Sequence, residues 1–427
     1  MNNSTLKLRL TVMNFLEFAV WGAYLTSMGR YLGQVGLGAN IGWFYSVQGI
    51  VSLFMPGLIG IIADRWIPAQ RLLSICHFLA GLFLSAAAIY GMQVGANVEM
   101  STFFTLYTLS VAFYMPTLAL SNSVAFTGLT QAGMDTVKAF PPIRVFGTVG
   151  FICTMWIVDL LGFMENYNQF FVSSGLSFVL AVYSLSLPHC PISAAGQKKS
   201  LVEGLGLDAF KLFKERKMAI FFIFSMLLGV SLQITNGYAN PFINSFATEP
   251  EYAGTFGVNH TGILISLSQM SETFCILLIP FFMKHFGIKR VMMIAMLAWV
   301  FRFGLFGIGN PGSGVWLFVL SMLVYGVAFD FFNVSGALYV EQETSKDIRS
   351  SAQGLFMIMT NGLGASIGTL GAQWIVNHYT EPLQLGEGFY QVGEWSTVWF
   401  IFAAYALVVL VLFAFLFKES KNVELMK

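Results

Sequence analysis

Charged side chains are scarce in this chain of 427 residues. Asp, Glu, Lys and Arg make up 10% of it, whereas a soluble domain usually contains about 25%. Hydrophobic residues make up 56%, and the mean hydropathy is +0.71. The composition excludes a soluble fold, because no soluble domain of this length could bury so much apolar surface. The net charge of +1 leaves no global field to attract nucleic acid, so no nucleic-acid partner is expected.

Cysteine and histidine are also rare, and their spacing excludes several kinds of site. The four cysteines lie in or beside apolar segments, without the spacing of metal ligands or of a disulfide framework. Most of the histidines fall near predicted helix ends or loops, where solvation explains them; they are His77, His189, His260, His285 and His378. The sequence has no phosphate-binding glycine loop and no nucleophile–base pair with a soluble site around it. We therefore expect no enzyme activity, no cofactor and no metal.

Long apolar segments separated by short polar ones are the dominant pattern. A membrane-spanning helix needs about 20 apolar residues, and the sequence predicts twelve such helices. They cover about 7–32, 40–63, 70–92, 100–129, 141–161, 168–187, 218–246, 260–283, 289–308, 314–342, 349–377 and 395–417. The longest polar stretch separates a six-helix bundle at 1–187 from a second at 218–427, with a cytoplasmic linker at 188–217. The predicted fold class is an all-α membrane protein.

Lysine and arginine are sorted to one side of these segments. Cations beside membrane-spanning segments stay on the cytoplasmic side during insertion. All but Arg30, Arg144 and Arg302 of the 22 cations lie in alternate polar stretches. The last outer loop, about 378–394, contains glutamates but no Lys or Arg. The pattern predicts a multi-pass protein of the cytoplasmic (inner) membrane with both termini in the cytoplasm. The first helix is expected to be retained, because no small-residue cleavage site accompanies it.

Six ionisable residues fall inside the apolar segments. At this depth a charge costs several kcal/mol and normally faces a cavity or a partner. The six are Glu17, Arg144, Asp159, Glu272, Arg302 and Asp330. Asp159 is close to a helix end, so its side chain is expected to snorkel outward. For Arg302, in the middle of the ninth helix, a structural pairing and a functional role stay equally open.

Short polar and aromatic stripes run along four of the predicted helices at helical spacing. The sets are Arg144, Thr148 and Phe151; Gln233 and Asn236; Gln269 and Glu272; and Tyr325 and Phe329 with Asp330 beside them. Carboxamides recognise a heterocycle by donor and acceptor together, aromatic faces stack on flat rings, and Glu, Gln or Arg suits ribose hydroxyls. The alternative is structural, because Asn, Gln and Thr routinely bridge membrane helices. The set as a whole favours a cavity for a small polar solute.

The turn after the second helix, Gly60–Arg65, resembles the signature of the major facilitator superfamily, in which an acid follows a glycine and basic residues come next. The later glycine of that signature is absent, since Ile67 and Pro68 stand there. Asp64 can cap a neighbouring helix terminus and pair with a cation. Asp64 and Arg65 are therefore predicted to form an inner gate that latches two helices, against the alternative of an ordinary charged loop.

Four longer segments resemble the bacterial nucleoside:proton symporters, a branch of that superfamily. They are Phe140–Phe151, Leu232–Asn236, Ser268–Thr273 and Tyr325–Asn333. The similarity extends over essentially the whole chain. It implies the major facilitator fold and a permease that imports purine and pyrimidine nucleosides with protons by alternating access. A single chain is a sufficient translocating unit in the lipid bilayer, so a monomer is expected.

The resemblance also implies which residues line the substrate cavity. They are Arg144, Thr148, Phe151, Gln233, Asn236, Gln269, Glu272, Tyr325 and Phe329. Glu272 is the expected substrate-linked carboxylate, with Asp330 and Glu17 as rivals for the proton. Glu17 departs from the family, in which an amide stands at this position, and would place an extra carboxylate near the cavity.

Two alternatives of different kinds stay open at this point. The chain could be a proton symporter for another small polar solute, such as a sugar. It could also be a membrane receptor or scaffold that binds its ligand without accumulating it. Competition by nucleosides against a labelled substrate would distinguish a nucleoside permease from a symporter for another solute. Accumulation of the substrate would distinguish a permease from a receptor or scaffold.

Overall fold

The computed structural model describes residues 3–192, 207–345, 348–386 and 388–418. The chain divides into two compact units, Met1–Leu205 and Gly206–Lys427. In the described part, nine helices are long and apolar enough to cross a membrane. Breaks and joins in the helices change how the spans are counted, so the predicted count of twelve stays a prediction.

The first unit contains helices joined by short loops, and no strand, over its described residues. Its helices are α1 Asn3–Gly22, α2 Met28–Gln34, α3 Ile41–Arg65, α4 Ala69–Val94, α5 Met100–Gln131, α6 Thr136–Leu160 and α7 Asn168–Ser184. Helix α1 packs against α6 and α7, α4 packs against α5 and α7, and α3 packs against α5. These contacts place α1 in the interior of the unit, which matters because α1 carries Glu17.

Two helix boundaries in this unit differ from the prediction. The predicted first helix is divided into α1 and α2, and the turns between them keep hydrogen bonds such as that from Met28 N to Tyr24 O at 2.8 Å. Helix α6 begins at Thr136, so Pro141 and Pro142 lie inside it rather than at its start. Pro141 and Pro142 are the sixth and seventh residues of this helix, and because they have no N–H each removes one backbone hydrogen bond of its second turn.

The second unit is also mainly helical. A 3₁₀ segment spans Leu207–Lys214, and the helices are α8 Arg216–Leu232, α9 Ile234–Ser245, α10 Phe256–Asn259, α11 Thr261–Ile308, α12 Val315–Glu343, α13 Arg349–Met357, α14 Ala365–Tyr379 and α15 Trp395–Leu416. A π-helical segment, Ile358–Gly364, joins α13 to α14. Helix α11 packs against α12 and α15, and α8 packs against the π-helical segment and α14.

Three features of the second unit were not predicted. The seventh predicted helix is interrupted at Gln233. The eighth and ninth are joined in α11 through a kink at Gly287, whose φ of 75° and ψ of 171° suit glycine alone. The segment predicted as the last outer loop contains an antiparallel hairpin of β1, Thr380–Leu385, and β2, Gly388–Gly393.

Large apolar side chains point outward from both units. Phe415 is 78% exposed, Leu277 is 73% exposed and Val182 is 72% exposed. Polar side chains such as Ser177 and Ser321 are instead buried inside the units. A soluble protein would show the opposite arrangement, and an outer apolar surface of this extent fits the hydrocarbon of a bilayer.

Candidate functional site

The predicted stripe of the first unit lies on α6 and faces α1. Arg144 and Thr148 are partly exposed, and Phe151 is 6% exposed. The guanidinium carbon of Arg144 lies 3.9 Å from the centroid of the Phe18 ring on α1. At this distance the cation is held over the negative face of the ring. The stripe therefore presents a positioned cation, a hydroxyl and an aromatic ring on one surface.

A set of aromatic and amide side chains extends this surface along α1. The rings of Trp21 and Phe151 meet edge to face, with centroids 6.3 Å apart. Trp21 Nε1 donates to Oε1 of Gln48 at 3.3 Å, and Gln48 Nε2 donates to the Tyr107 hydroxyl at 2.8 Å. The sequence analysis missed Phe18, Trp21 and Gln48. The spacing of Phe18 and Trp21 at i and i+3 beside Glu17 was the available signal.

Glu17 does not lie on that surface. Its side chain is 0% exposed, and Oε2 lies 2.9 Å from Nε2 of His77, which is also 0% exposed. Thr117 Oγ1 lies 2.5 Å from Oε1. His77 stands in the middle of α4, so the expectation that solvation explains it was wrong. The only sequence signal was its position within the apolar run of that helix.

The second unit places a pair of carboxamides at a helix break. Gln233 separates α8 from α9, and Asn236 Nδ2 donates to Oε1 of Gln233 at 2.9 Å. Both side chains are partly exposed. A break within an apolar segment leaves backbone groups without helical partners, and such breaks are tolerated where they are buried in protein or line a cavity. The amide pair therefore lies at a helix break, a position at which irregular backbone is tolerated.

The facing surfaces of α11 and α12 hold an acid, an amide and two rings. Gln269 and Glu272 share one face of α11, and both are partly exposed. On α12 the rings of Tyr325 and Phe329 are stacked, with centroids 5.5 Å apart and an interplanar angle of 16°. Glu272 is close enough to Tyr325 to act electrostatically on its hydroxyl. The structure therefore brings Glu272 and this aromatic pair together.

Asp330 lies behind the same surface. It is 5% exposed, and in the described part of the chain its Oδ2 atom is buried without a hydrogen-bond partner. Glu272 lies within electrostatic range of it. Two neighbouring acids, one of them deeply buried, can exchange a proton more readily than they can hold two charges.

Arg302 has a structural environment composed of neutral groups. It is 2% exposed, and its guanidinium donates to the Ser321 carbonyl at 2.9 Å, to Thr235 Oγ1 at 3.2 Å and to Ser268 Oγ at 3.3 Å. Its central carbon also lies 4.5 Å from the Tyr325 ring centroid. Arg302 thus joins α9, both arms of α11 and α12. These contacts favour the structural reading and place the cation directly behind the Tyr325 ring.

The remaining predicted residues have separate outcomes. Asp159 is 3% exposed, so the expectation that it snorkels outward was wrong: the protein encloses it. Arg65 ends α3 and is exposed. The side chain of Asp64 lies outside the described residues, so the inner gate stays a prediction. Over the ranges that the structure describes, no group of three His, Cys, Asp or Glu side chains comes together in a way that could hold a metal ion.

Comparisons with known proteins give consistent matches over the whole chain. The family model described as Nucleoside H+ symporter matches residues 4–422. The xanthosine permease of Escherichia coli is 46% identical over 99% of this chain and 98% of its own length. The nucleoside permease NupG of the same organism is 46% identical over 97% of this chain and 96% of its own length.

Solved structures of nucleoside transporters also match nearly the whole chain. The crystal structure of the nucleoside transporter NupG superimposes with a TM-score of 0.87 at 45% identity, covering 98% of this chain and all of that chain. The crystal structure of a point mutant of the same transporter gives a TM-score of 0.90 at 46% identity, covering 97% of this chain and all of that chain. A D-xylose–proton symporter, at 14% identity and a TM-score of 0.69, supports the fold alone. The predicted helical membrane fold of the major facilitator type is confirmed, and the β1–β2 hairpin is an addition to it.

Proposed function

Because this chain belongs to the nucleoside H+ symporter family, we propose that it imports nucleosides across the cytoplasmic membrane, driven by the proton gradient. It is a multi-pass membrane transporter and not an enzyme, as the sequence predicted. Family membership favours nucleosides over the sugar alternative. Transport by alternating access, as a monomer with both termini in the cytoplasm, belongs to the same proposal.

The arrangement around Tyr325 and Phe329 is the observation that supports nucleoside recognition best. The partly exposed ring of Phe329 is stacked on the buried ring of Tyr325 and offers a flat apolar surface that matches a purine or pyrimidine base. Carboxamides can donate and accept hydrogen bonds toward the edge of a base, and Gln233 and Asn236 already hold each other in a fixed geometry. Glu272 beside the rings suits ribose hydroxyls. A site of this composition would accept both classes of base.

The first unit also carries groups that suit a nucleoside. Arg144 over Phe18, with Thr148 and Phe151 on the same α6 face, offers a guanidinium and a hydroxyl for the polar part of a nucleoside. Gln269 on α11 adds another carboxamide. The nine residues predicted from the resemblance are proposed as the substrate-binding set.

Glu272 is proposed as the acid that couples proton and substrate, because it is the partly exposed acid beside the aromatic pair. Asp330 is its neighbour and the second candidate. Protonation of either acid would remove the repulsion between them, which gives a physical route by which proton binding changes the site. Glu17 is the third candidate, but its enclosure by His77 and Thr117 disfavours direct exchange with the substrate site.

Uptake by purified protein in proteoliposomes tests the proposed function. With an inward proton gradient, xanthosine, adenosine and uridine are each expected to accumulate above equilibrium, and a protonophore should remove the accumulation. One pH unit of gradient is worth about 1.4 kcal/mol, so one proton per nucleoside predicts about tenfold accumulation. Xylose serves as the control solute. Accumulation of xylose in place of nucleosides, or nucleoside binding without uptake, would refute the proposal.

A further inference from the structure

The buried acid–imidazole pair of the first unit, Glu17 and His77, connects four helices. Glu17 lies on α1 and His77 on α4, and they are joined at 2.9 Å. Thr117 of α5 holds the other carboxyl oxygen, and Ser177 of α7 lies 3.1 Å from Nδ1 of His77. Neither ionisable side chain has exposed surface. Every polar atom of the two side chains therefore has a partner from a different helix.

The hydrogen bonds of Ser177 determine which imidazole nitrogen carries a hydrogen. Ser177 Oγ donates to the backbone carbonyl of His77 at 2.9 Å. A hydroxyl has a single proton to donate, so Ser177 can only accept from Nδ1 of the same residue. This geometry favours a hydrogen on Nδ1. Nε2, which faces Glu17, is then either an acceptor or, in the imidazolium form, a second donor.

The 2.9 Å contact between Nε2 of His77 and Oε2 of Glu17 requires a proton between these two atoms, in addition to the hydrogen on Nδ1. Without it, a lone pair on nitrogen would face a carboxylate lone pair at hydrogen-bond distance, with a net negative charge in a pocket that excludes water. With it, the pair is neutral overall, whether the proton resides on the carboxyl or on the imidazole. We infer that Glu17 and His77 form a proton-binding site inside the first unit, distinct from the acids of the second unit, and that its occupancy positions the substrate-facing surface of α1.

The link to that surface runs through neighbouring residues. Phe18 follows Glu17 directly and carries the Arg144 guanidinium on its ring at 3.9 Å. The Tyr114 hydroxyl donates to the Glu17 carbonyl at 2.9 Å. The Tyr114 ring also lies 6.1 Å from that of Trp21, which contacts Phe151. Loss of the shared proton would repel α1 from α4 and displace Phe18 and Trp21. Glu17 and His77 are therefore positioning residues, outside the proposed substrate-binding set.

Other ionisable groups around the pair are few in the described residues. Cys76 of α4 and Tyr114 of α5 lie within electrostatic range of Glu17. From α6, Arg144 reaches Tyr114 electrostatically, and Tyr24 on the chain after α1 does the same. Among the described contacts of the pair, α7 contributes the hydroxyl of Ser177 and no ionisable group. Arg144 is thus the charged group to which a change at the pair would be transmitted.

The substitution Glu17→Gln removes the ionisable proton of the pair but keeps a hydrogen bond to His77. A glutamine side chain has nearly the same shape as glutamate, and its amide can donate to Nε2 of neutral His77, so the packing is kept while the ionisable proton is removed. Equilibrium binding of xanthosine in nanodiscs, measured from acid to alkaline pH, should show a Kd for the unaltered protein that rises by roughly fivefold or more as the pair loses its proton, in the usual range for coupling between two sites. In Glu17→Gln this rise should disappear, and uptake should remain proton-driven.

The matched control is Glu251→Gln, which alters an exposed acid of the second unit. Titration of Glu272 and Asp330 affects all three proteins equally, so only the difference between the curves reports on the pair. Superimposable curves for Glu17→Gln and the unaltered protein would refute the positioning role. Loss of proton-driven uptake in Glu17→Gln, with binding intact, would instead make Glu17 part of the transported-proton pathway.

A second measurement needs neither a variant nor transport. Solid-state NMR of protein labelled with ¹⁵N-histidine and ¹³C-glutamate detects a histidine nitrogen close to a glutamate carboxyl, the contact that His77 makes with Glu17. Its Nδ1 signal should be that of a protonated nitrogen, with a shared proton at Nε2. An unprotonated Nδ1 would overturn the assignment. The NMR result is independent of the proposed function, so a failure of one is distinguishable from a failure of the other.

Discussion

Glu272→Gln is expected to abolish proton-driven accumulation of nucleosides while leaving binding largely intact. The amide retains hydrogen bonding to ribose hydroxyls but cannot take up a proton. In proteoliposomes with one pH unit of inward gradient, the accumulation ratio should fall from about ten to about one. Exchange of labelled for unlabelled nucleoside should continue, because exchange needs no net proton movement. Replacing a charged hydrogen bond by a neutral one predicts a Kd weaker by about tenfold at most.

Two variants make this result interpretable. Glu251→Gln, on an exposed acid, should accumulate like the unaltered protein. Asp330→Asn alters the buried neighbour of Glu272, and its comparison with Glu272→Gln shows which acid carries the transported proton. Full accumulation by Glu272→Gln would remove Glu272 from the coupling role and leave nucleoside recognition untouched.

Gly368→Ala is expected to destabilise the second unit strongly, whereas Gly371→Ala on the same helix is not. A Cβ atom at Gly368 would lie 2.1 Å from the backbone oxygen of Val230 on α8, so the two helices would have to separate. Overpacking of this kind costs about 1–3 kcal/mol. Gly371 has nothing within 4 Å of an added Cβ. There alanine should raise the stability by up to about 1 kcal/mol, because glycine is the poorer helix former.

Thermal unfolding in detergent, followed by tryptophan fluorescence, measures the difference between the two variants. The same comparison in the uptake assay shows whether the close approach of α8 and α14 is needed for transport as well as for folding. Equal melting temperatures for the two variants would contradict the close approach. A third variant, Gly175→Ala on α7 of the first unit, has open space around the new methyl group and controls for general effects of alanine.

The sequence predicted the helical fold because membrane helices carry strong signals. Apolar length and the distribution of lysine and arginine do not depend on tertiary contacts. Helical spacing likewise grouped Tyr325 with Phe329 and Gln233 with Asn236, and both pairs make direct contacts. Side chains three or four residues apart in helical backbone are neighbours, whatever the rest of the fold is.

Contacts between helices could not be predicted in this way. The partner of Glu17 is His77, 60 residues further along the chain, and nothing in either segment specifies that α4 packs beside α1. Packing of the helices buries His77, whereas a histidine is ordinarily expected at a solvated position. Arg302 is similar, since Thr235, Ser268 and the Ser321 carbonyl become its partners only after α9, α11 and α12 have packed. Helix breaks such as the one at Gln233 also depend on tertiary context.

Gly287 makes α11 a hairpin without a loop. The hydrogen bond from Arg302 to Ser268 shows that its two arms lie side by side, yet a single glycine with φ of 75° reverses the chain between them. The corner has no loop residues that could absorb a change in its length. Inserting or deleting one residue would rotate one arm by about 100° relative to the other and turn Arg302 away from the ring that it supports. The length of this corner is therefore fixed by the contact between Arg302 and Ser268 across the two arms.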